Sequence, residues 1–211
     1  MAGAGAKIET PEMGFAARGL QSLLLWLYRR YGWKAVGTPP SHRRFVMIAA
    51  PHTSNWDFPY YLGLIHDLGF RTHFMAKLSL FRWPFGGFMQ QVGGVPIDRA
   101  SSRDMVAQMI DEFARRDEFV LTVAPEGTRQ SVAQWRTGFY RIAHGAGVPI
   151  VCGFMDYATR TGGIGPVIIP TGDYEADMAP AFAFYAGVSG KFPALMSPGI
   201  RTTEHEAPKR H

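Results

Sequence analysis

His52 and Asp57 lie five residues apart in VMIAAPHTSNWD, residues 46 to 57, where an apolar run of strand composition ends in a short polar loop. An imidazole has the unperturbed pKa nearest neutrality of any side chain, which suits a loop histidine to act as a general base. A carboxylate that accepts a hydrogen bond from one ring nitrogen fixes the tautomer and leaves the other nitrogen to take a proton from a hydroxyl. One continuous helix does not bring the two together, because residues i and i+5 point about 140° apart on it. Pro59 has no N–H and is tolerated only in a first helical turn, so the next helix starts near Trp56 or Asp57 and His52 to Asn55 can curl back. An alternative makes Asp57 an N-cap and His52 an ordinary loop histidine, and spacing alone leaves both open. Thr53 and Ser54 place hydroxyls beside the histidine, but no GxSxG elbow frames either, so neither is read as a nucleophile.

Arg99 in GGVPIDR and Arg129 in APEGTR each present a fork of donors matched to phosphate oxygens, although an isolated loop arginine can equally be a surface charge. HTSNWD resembles the HxxxxD block of the glycerolipid acyltransferases, the family of the lysophosphatidic acid acyltransferases. GGVPIDR at 93 to 99, APEGTR at 124 to 129 and GVPIV at 147 to 151 follow in that family's order. The resemblance implies transfer of a fatty acyl group from acyl-CoA or acyl carrier protein to the hydroxyl of a lysophospholipid, a 1-acylglycerol-3-phosphate-like acceptor. His52 would be the base and Asp57 its orienting residue, with Arg99, Glu126, Gly127, Thr128 and Arg129 binding the acceptor. The thioester is already activated, so no acyl-enzyme is needed. Gly127 can let backbone N–H groups approach an anion, and Glu126 can order its loop by pairing with an arginine. A carboxylate beside a phosphate repels it, so Glu126 is expected to be structural or to bind an acceptor hydroxyl. Cys152 stands where a proline often follows PIV in the family, and Gln130 where a serine often follows EGTR; both departures bear on the identity of the acceptor.

Strand-like and helix-like segments alternate along the chain, which predicts an α/β fold with a mixed, mainly parallel central sheet flanked by helices. RRFVMIAA, 43 to 50, reads as a buried strand, followed by a helix from 58 to 67 that stops before Gly69. FRTHFMA, 70 to 76, is a second strand, and Pro84 with Gly86 and Gly87 interrupts the apolar stretch after it. In VGGVPIDR, Pro96 argues for a sheet edge. Ser101 and Asp104 make a capping-box-like start for a helix whose inner stripe is Met105, Met109, Ile110 and Phe113. EFVLTVA, 118 to 124, is the clearest buried strand, and it delivers PEGTR into a loop that should meet the histidine loop. A helix over 138 to 146, strands at 148 to 155 and 165 to 170, and a last helix over 173 to 187 weakened by Pro180 complete the core. Residues 1 to 211 are read as one acyltransferase domain, with 189 to 211 a loosely ordered tail.

Residues 19 to 34, GLQSLLLWLYRRYGWK, form an amphipathic helix whose stripe is Leu20, Leu23, Leu24, Leu27, Tyr28 and Tyr31, with Trp26, Trp33, Arg29, Arg30 and Lys34 as interfacial anchors. The stripe can lie on a membrane surface or pack on the domain. No run reaches a spanning length and no signal peptide is evident, so the protein is expected in the cytoplasm, peripheral on the inner face of the membrane. Twenty-two Lys and Arg against 17 Asp and Glu give a net charge of +5 and point to an anionic partner. The single cysteine excludes an internal disulfide, and His42, His66, His73, His144, His205 and His211 show no ligand spacing, so no metal or organic cofactor is implied. Met13, Met75, Met89 and Met109 are read as core residues before an acyl groove. Two other functions stay open at this point: a hydrolase using the same His and Asp on an ester or thioester, and a noncatalytic basic module binding lipid or nucleic acid. The scattered basic residues match no nucleic-acid motif, so no nucleic acid is expected as a partner.

Overall fold

The structure, a computed structural model, describes residues 15–82, 86–97 and 102–197. Among these the chain runs α1 (Phe15–Arg30), β1 (Lys34–Val36), β2 (Arg44–Ala50), α2 (Asp57–Leu68), β3 (His73–Lys77), α3 (Gly86–Gln91), β4 (Gly94–Ile97) and α4 (Ser102–Arg115). It continues through β5 (Phe119–Val123), α5 (Gly138–Ala146), β6 (Ile150–Asp156), β7 (Thr161–Ile168) and α6 (Tyr174–Tyr185). The strands form one sheet in the order β1-β7-β6-β2-β5-β3-β4. Every neighbouring pair is parallel except β6 and β7, so the sheet is mixed and mainly parallel, as expected.

The apolar runs at 45 to 50 and 119 to 123 occupy the middle of the sheet because their side chains have cover on both faces. From β2, Phe45 and Met47 pack with Val120 and Val151 against Tyr61 and Ile65 of α2. Val46, Ile48 and Ala50 point the other way, into a larger core with Phe113 of α4, Phe139 and Ile142 of α5, and Met178 and Tyr185 of α6. Each such fully buried side chain stabilises by about 1.5–3 kcal/mol relative to exposure, so the central strands and the loops they launch rest on the firmest part of the molecule. The edge strands are short: β1 has 3 residues and β4 has 4, with Pro96 at the edge that its missing N–H requires.

Several sequence expectations change. The N-terminal helix ends at Arg30, and Lys34 opens β1. Its stripe is divided: Tyr28 is fully buried on α2, where a Cβ on Gly63 would come within 2.4 Å of its ring. Leu23 and Trp26 face solvent at 51% and 59% exposure. Trp33, expected as an interfacial anchor, is buried with Tyr60 and Leu64 instead. Gly86 and Gly87 start α3 rather than breaking the chain. β7 begins at Thr161, four residues before the predicted strand, and closes an antiparallel hairpin with β6. Residues 189 to 197 are not loose: Met196 and Ser197 are buried, and Ser131 Oγ donates to Met196 O while Val132 N donates to Ser197 Oγ. His73 is half-buried with its ring against Phe119, and burial and the Arg116 guanidinium lower its pKa. Arg99, Ser101, Pro84, Met13, His205, His211 and residues 198 to 211 lie outside the described residues.

Candidate active site

Register fixes which loops meet. β2 pairs in parallel with β5 on one side and β6 on the other, so three adjacent strands end at the same edge of the sheet. They deliver His52, Glu126 and Tyr157 to one place, the carboxyl end where open α/β sheets hold their sites. After the cis Ala50–Pro51 peptide the chain turns at His52 to Trp56, and α2 starts at Asp57.

Asp57 is not an N-cap: the cap position is Trp56, and the Asp57 carboxylate turns back into the loop before it. Asp57 Oδ2 accepts from His52 Nδ1 at 3.0 Å and from the backbone N–H groups of Thr53 and Ser54 at 2.9 Å each. Asp57 Oδ1 accepts from the Tyr157 hydroxyl at 2.6 Å. The Asp57 side chain is 3% exposed and that of His52 29% exposed, so the carboxylate is sealed while the imidazole reaches the surface. With Nδ1 held by the carboxylate, Nε2 is the nitrogen left to meet a substrate hydroxyl, the arrangement a general base needs.

Glu126 joins the second loop to the first. Its Oε1 accepts from His52 N at 3.2 Å, and Oε2 is buried without a hydrogen-bond partner among the described residues. No arginine pairs with it among those residues, so its ordering role is exercised through the His52 backbone. Burial raises its pKa to about 7, opposed by its own backbone N–H and then by the His52 N–H and the His52 ring. The folded-state pKa stands above the ordinary carboxylate value of 4.5, so its proton stabilises the fold fully at acid pH. That contribution, on the order of 3 kcal/mol at most, is lost as pH rises from about 4.5 to 7. Glu126→Gln keeps an oxygen for the His52 N–H and cannot ionise. Urea denaturation at pH 5 and pH 8 should show the two proteins alike at the lower pH and the variant more stable at the higher; parallel curves at both would contradict this origin of the shift.

Gly127 has φ +65°, and its N–H donates to Ala124 O, so that group is not free for an anion. The missing Cβ instead makes room for Arg136, whose Nε would lie 2.9 Å from it. Arg136 was not legible as a loop residue, since it stands nine positions beyond Gly127 in an irregular segment. Arg129 is exposed, and Thr128 Oγ1 accepts from Gln130 N. The N–H groups of His52, Thr53 and Ser54 all serve carboxylates, so none of the three is free for an anion.

Sequence reasoning also missed Tyr157 and the strap at 189 to 192. Tyr157 N donates to Ser189 O, Ser189 N to Asp156 Oδ1, and Phe192 N to Thr53 Oγ1, which fastens the strap to the histidine loop. Lys191 Nζ lies 5.2 Å from the Trp56 ring centre and 5.8 Å from that of Tyr157. Among the described residues no group of His, Cys, Asp or Glu is arranged to hold a metal ion.

Among solved structures, the 1-acyl-sn-glycerophosphate (LPA) acyltransferase PlsC from Thermotoga maritima matches with a TM-score of 0.55, over 77% of this chain and 75% of that one, at 21% identity. That likeness supports the same fold. No curated protein matches the chain. The acyltransferase family matches residues 37–155, more than half of the chain and inclusive of the His52, Asp57 and Glu126 loops, and this protein therefore belongs to the acyltransferase family.

Proposed function

We propose that the protein transfers a fatty acyl group from acyl-CoA or acyl carrier protein to the hydroxyl of a lysophospholipid, a 1-acylglycerol-3-phosphate-like acceptor, acting as a single domain. The observation that carries the reading is the 3.0 Å contact of His52 Nδ1 with the buried Asp57, beside the Glu126 loop. In this mechanism His52 Nε2 takes the acceptor's hydroxyl proton, the alkoxide attacks the thioester carbonyl, and the thiol leaves with a proton returned by the imidazole. Asp57 stabilises the imidazolium that forms between these steps. The reaction calls on no metal or organic cofactor, because the donor arrives already activated. Incubating the purified protein with pairs of acyl donors and lysolipids, and identifying products by mass, tests the reading. A new diacyl lipid is expected; free fatty acid alone would mark a hydrolase.

An acceptor phosphate would be met by Arg129 and Arg99, with Arg136 beside Gly127 as a third guanidinium. Arg129→Ala is expected to raise KM for a phosphate-bearing acceptor about tenfold, since a charge-assisted bond is worth roughly 1.5–3 kcal/mol, while leaving KM for the donor unchanged. Equal effects on both substrates would assign Arg129 to loop order instead.

Membrane contact would use the outer side of α1, where Leu23 and Trp26 are exposed and Arg29 and Arg30 line a surface depression of about 480 Å³ with Ser22 and Leu25. Such a contact would hold the enzyme at the cytoplasmic membrane surface, where a basic residue near anionic lipid is worth about 1 kcal/mol. Changing Leu23 and Trp26 together to serine should sharply reduce co-sedimentation with anionic vesicles at unchanged melting temperature. Unchanged vesicle binding would place the contact elsewhere.

A further inference from the structure

We propose that Tyr157 is a positioning residue of the His52–Asp57 pair: its hydroxyl holds Asp57 Oδ1 and thereby reserves Oδ2 for the imidazole. The inference rests on the reading of His52 as the base. The family match ends at residue 155, so Tyr157 falls two residues outside it. It occupies the turn of the antiparallel hairpin between β6 and β7.

The two oxygens of Asp57 are served unequally. Oδ2 has three donors, His52 Nδ1 and the N–H groups of Thr53 and Ser54, whereas Oδ1 has the Tyr157 hydroxyl at 2.6 Å. In a side chain only 3% exposed, water is a poor substitute for that donor. A carboxylate with one unsatisfied oxygen can rotate to share its donors, and the imidazole then loses its fixed orientation. The phenol also draws negative charge toward Oδ1, which moderates how strongly the carboxylate stabilises a protonated imidazole. Burial first, and then the bond to Asp57, push the Tyr157 pKa far up, so the hydroxyl stays a donor throughout the working pH range.

The tyrosine is itself held from several directions, as a positioning group must be. Its ring meets Trp33 edge-on at 4.9 Å and Tyr60 at 6.1 Å. Its backbone N–H is bonded to Ser189 O at 2.8 Å, and Lys191 Nζ sits over its ring. Trp33 belongs to the segment between α1 and β1, and Tyr60 to α2. The hairpin, the strap at 189 to 192 and the end of the N-terminal segment thus converge on one tyrosine, whose hydroxyl is bonded to Asp57.

Tyr157→Phe removes the hydroxyl and keeps the ring, separating positioning from packing. With a phosphate-bearing lysolipid and an acyl-CoA as substrates, kcat is expected to fall about tenfold, as loss of one hydrogen bond to a charged group predicts, with both KM values within about twofold of wild type. The acidic limb of the kcat/KM profile should move up by about half a pH unit, since the carboxylate then stabilises the protonated imidazole more strongly. Site-specific replacement of Tyr157 by 3-fluorotyrosine, a stronger donor of nearly the same size, should move that limb in the opposite direction and gives the answer even if the Phe variant folds poorly. A melting-temperature change with an unmoved pH profile and kcat would overturn the proposal and leave Tyr157 a packing residue. His52→Ala separates the two levels of inference: activity that survives it removes the base and the proposal together, whereas activity that needs His52 but ignores both changes at Tyr157 overturns the proposal alone.

Discussion

Replacing His52 with alanine is expected to lower kcat for acyl transfer by about 10²- to 10⁴-fold, the range a positioned general base supplies, with little change in melting temperature. The stability half of the expectation follows from the loop's bonding. Asp57 Oδ2 keeps the Thr53 and Ser54 N–H groups when the imidazole is gone, and Glu126 Oε1 keeps the backbone N–H of residue 52. The side chain removed is half-buried and, among the described residues, belongs to none of the apolar core clusters. Circular dichroism melts beside a thioester-consumption assay check both halves. Retention of more than about a tenth of the wild-type rate would leave His52 without the role of base.

Asp57→Asn should be costly in both respects, which separates it from His52→Ala. The carboxylate accepts four bonds on two oxygens, and an amide offers one oxygen and an NH₂ that faces existing donors. Leaving a buried donor unpaired costs about 1–3 kcal/mol, so the melting temperature should drop by several degrees. Activity should fall further, by about 10²-fold or more, because the charge that stabilises the imidazolium is gone. Rates normalised to the folded fraction at a temperature well below both melts make the distinction. If that normalisation restores the wild-type rate, Asp57 serves only to build the loop.

Much of this site is local in the chain and was therefore legible. His52 and Asp57 are joined within one loop, and Pro59 dictates where the helix starts, so the curl that brings the ring to the carboxylate follows from short-range rules. The central strands were visible as apolar runs for the same reason that they are central, namely cover on both faces. What escaped notice depends on long-range placement. Tyr157 reaches Asp57 across 100 positions of sequence, and Phe192 reaches Thr53 across 139. The first four residues of β7, with Gly162 and Gly163 among them, have a composition that strands avoid, and they are strand because β6 and β1 pair with them. The amphipathic helix shows the limit of periodicity: spacing correctly gathers Leu23, Leu24, Leu27 and Tyr28, but only the partner surface decides that Tyr28 is buried on Gly63 and Leu23 is left outside. Glu126 was legible as a residue of structural weight but not through its partner, which is a backbone N–H and carries no sequence signature.

The central claim is that the acyl group leaves the thioester for an acceptor hydroxyl activated by His52. Counting thiol released and lipid ester formed in the same reaction, with and without a lysolipid acceptor, tests it most directly. The account predicts one ester for each thiol, almost no thiol release when the acceptor is omitted, and loss of both products together in His52→Ala. Thiol released at an undiminished rate without acceptor, matched by free fatty acid, would contradict it and identify water as the nucleophile.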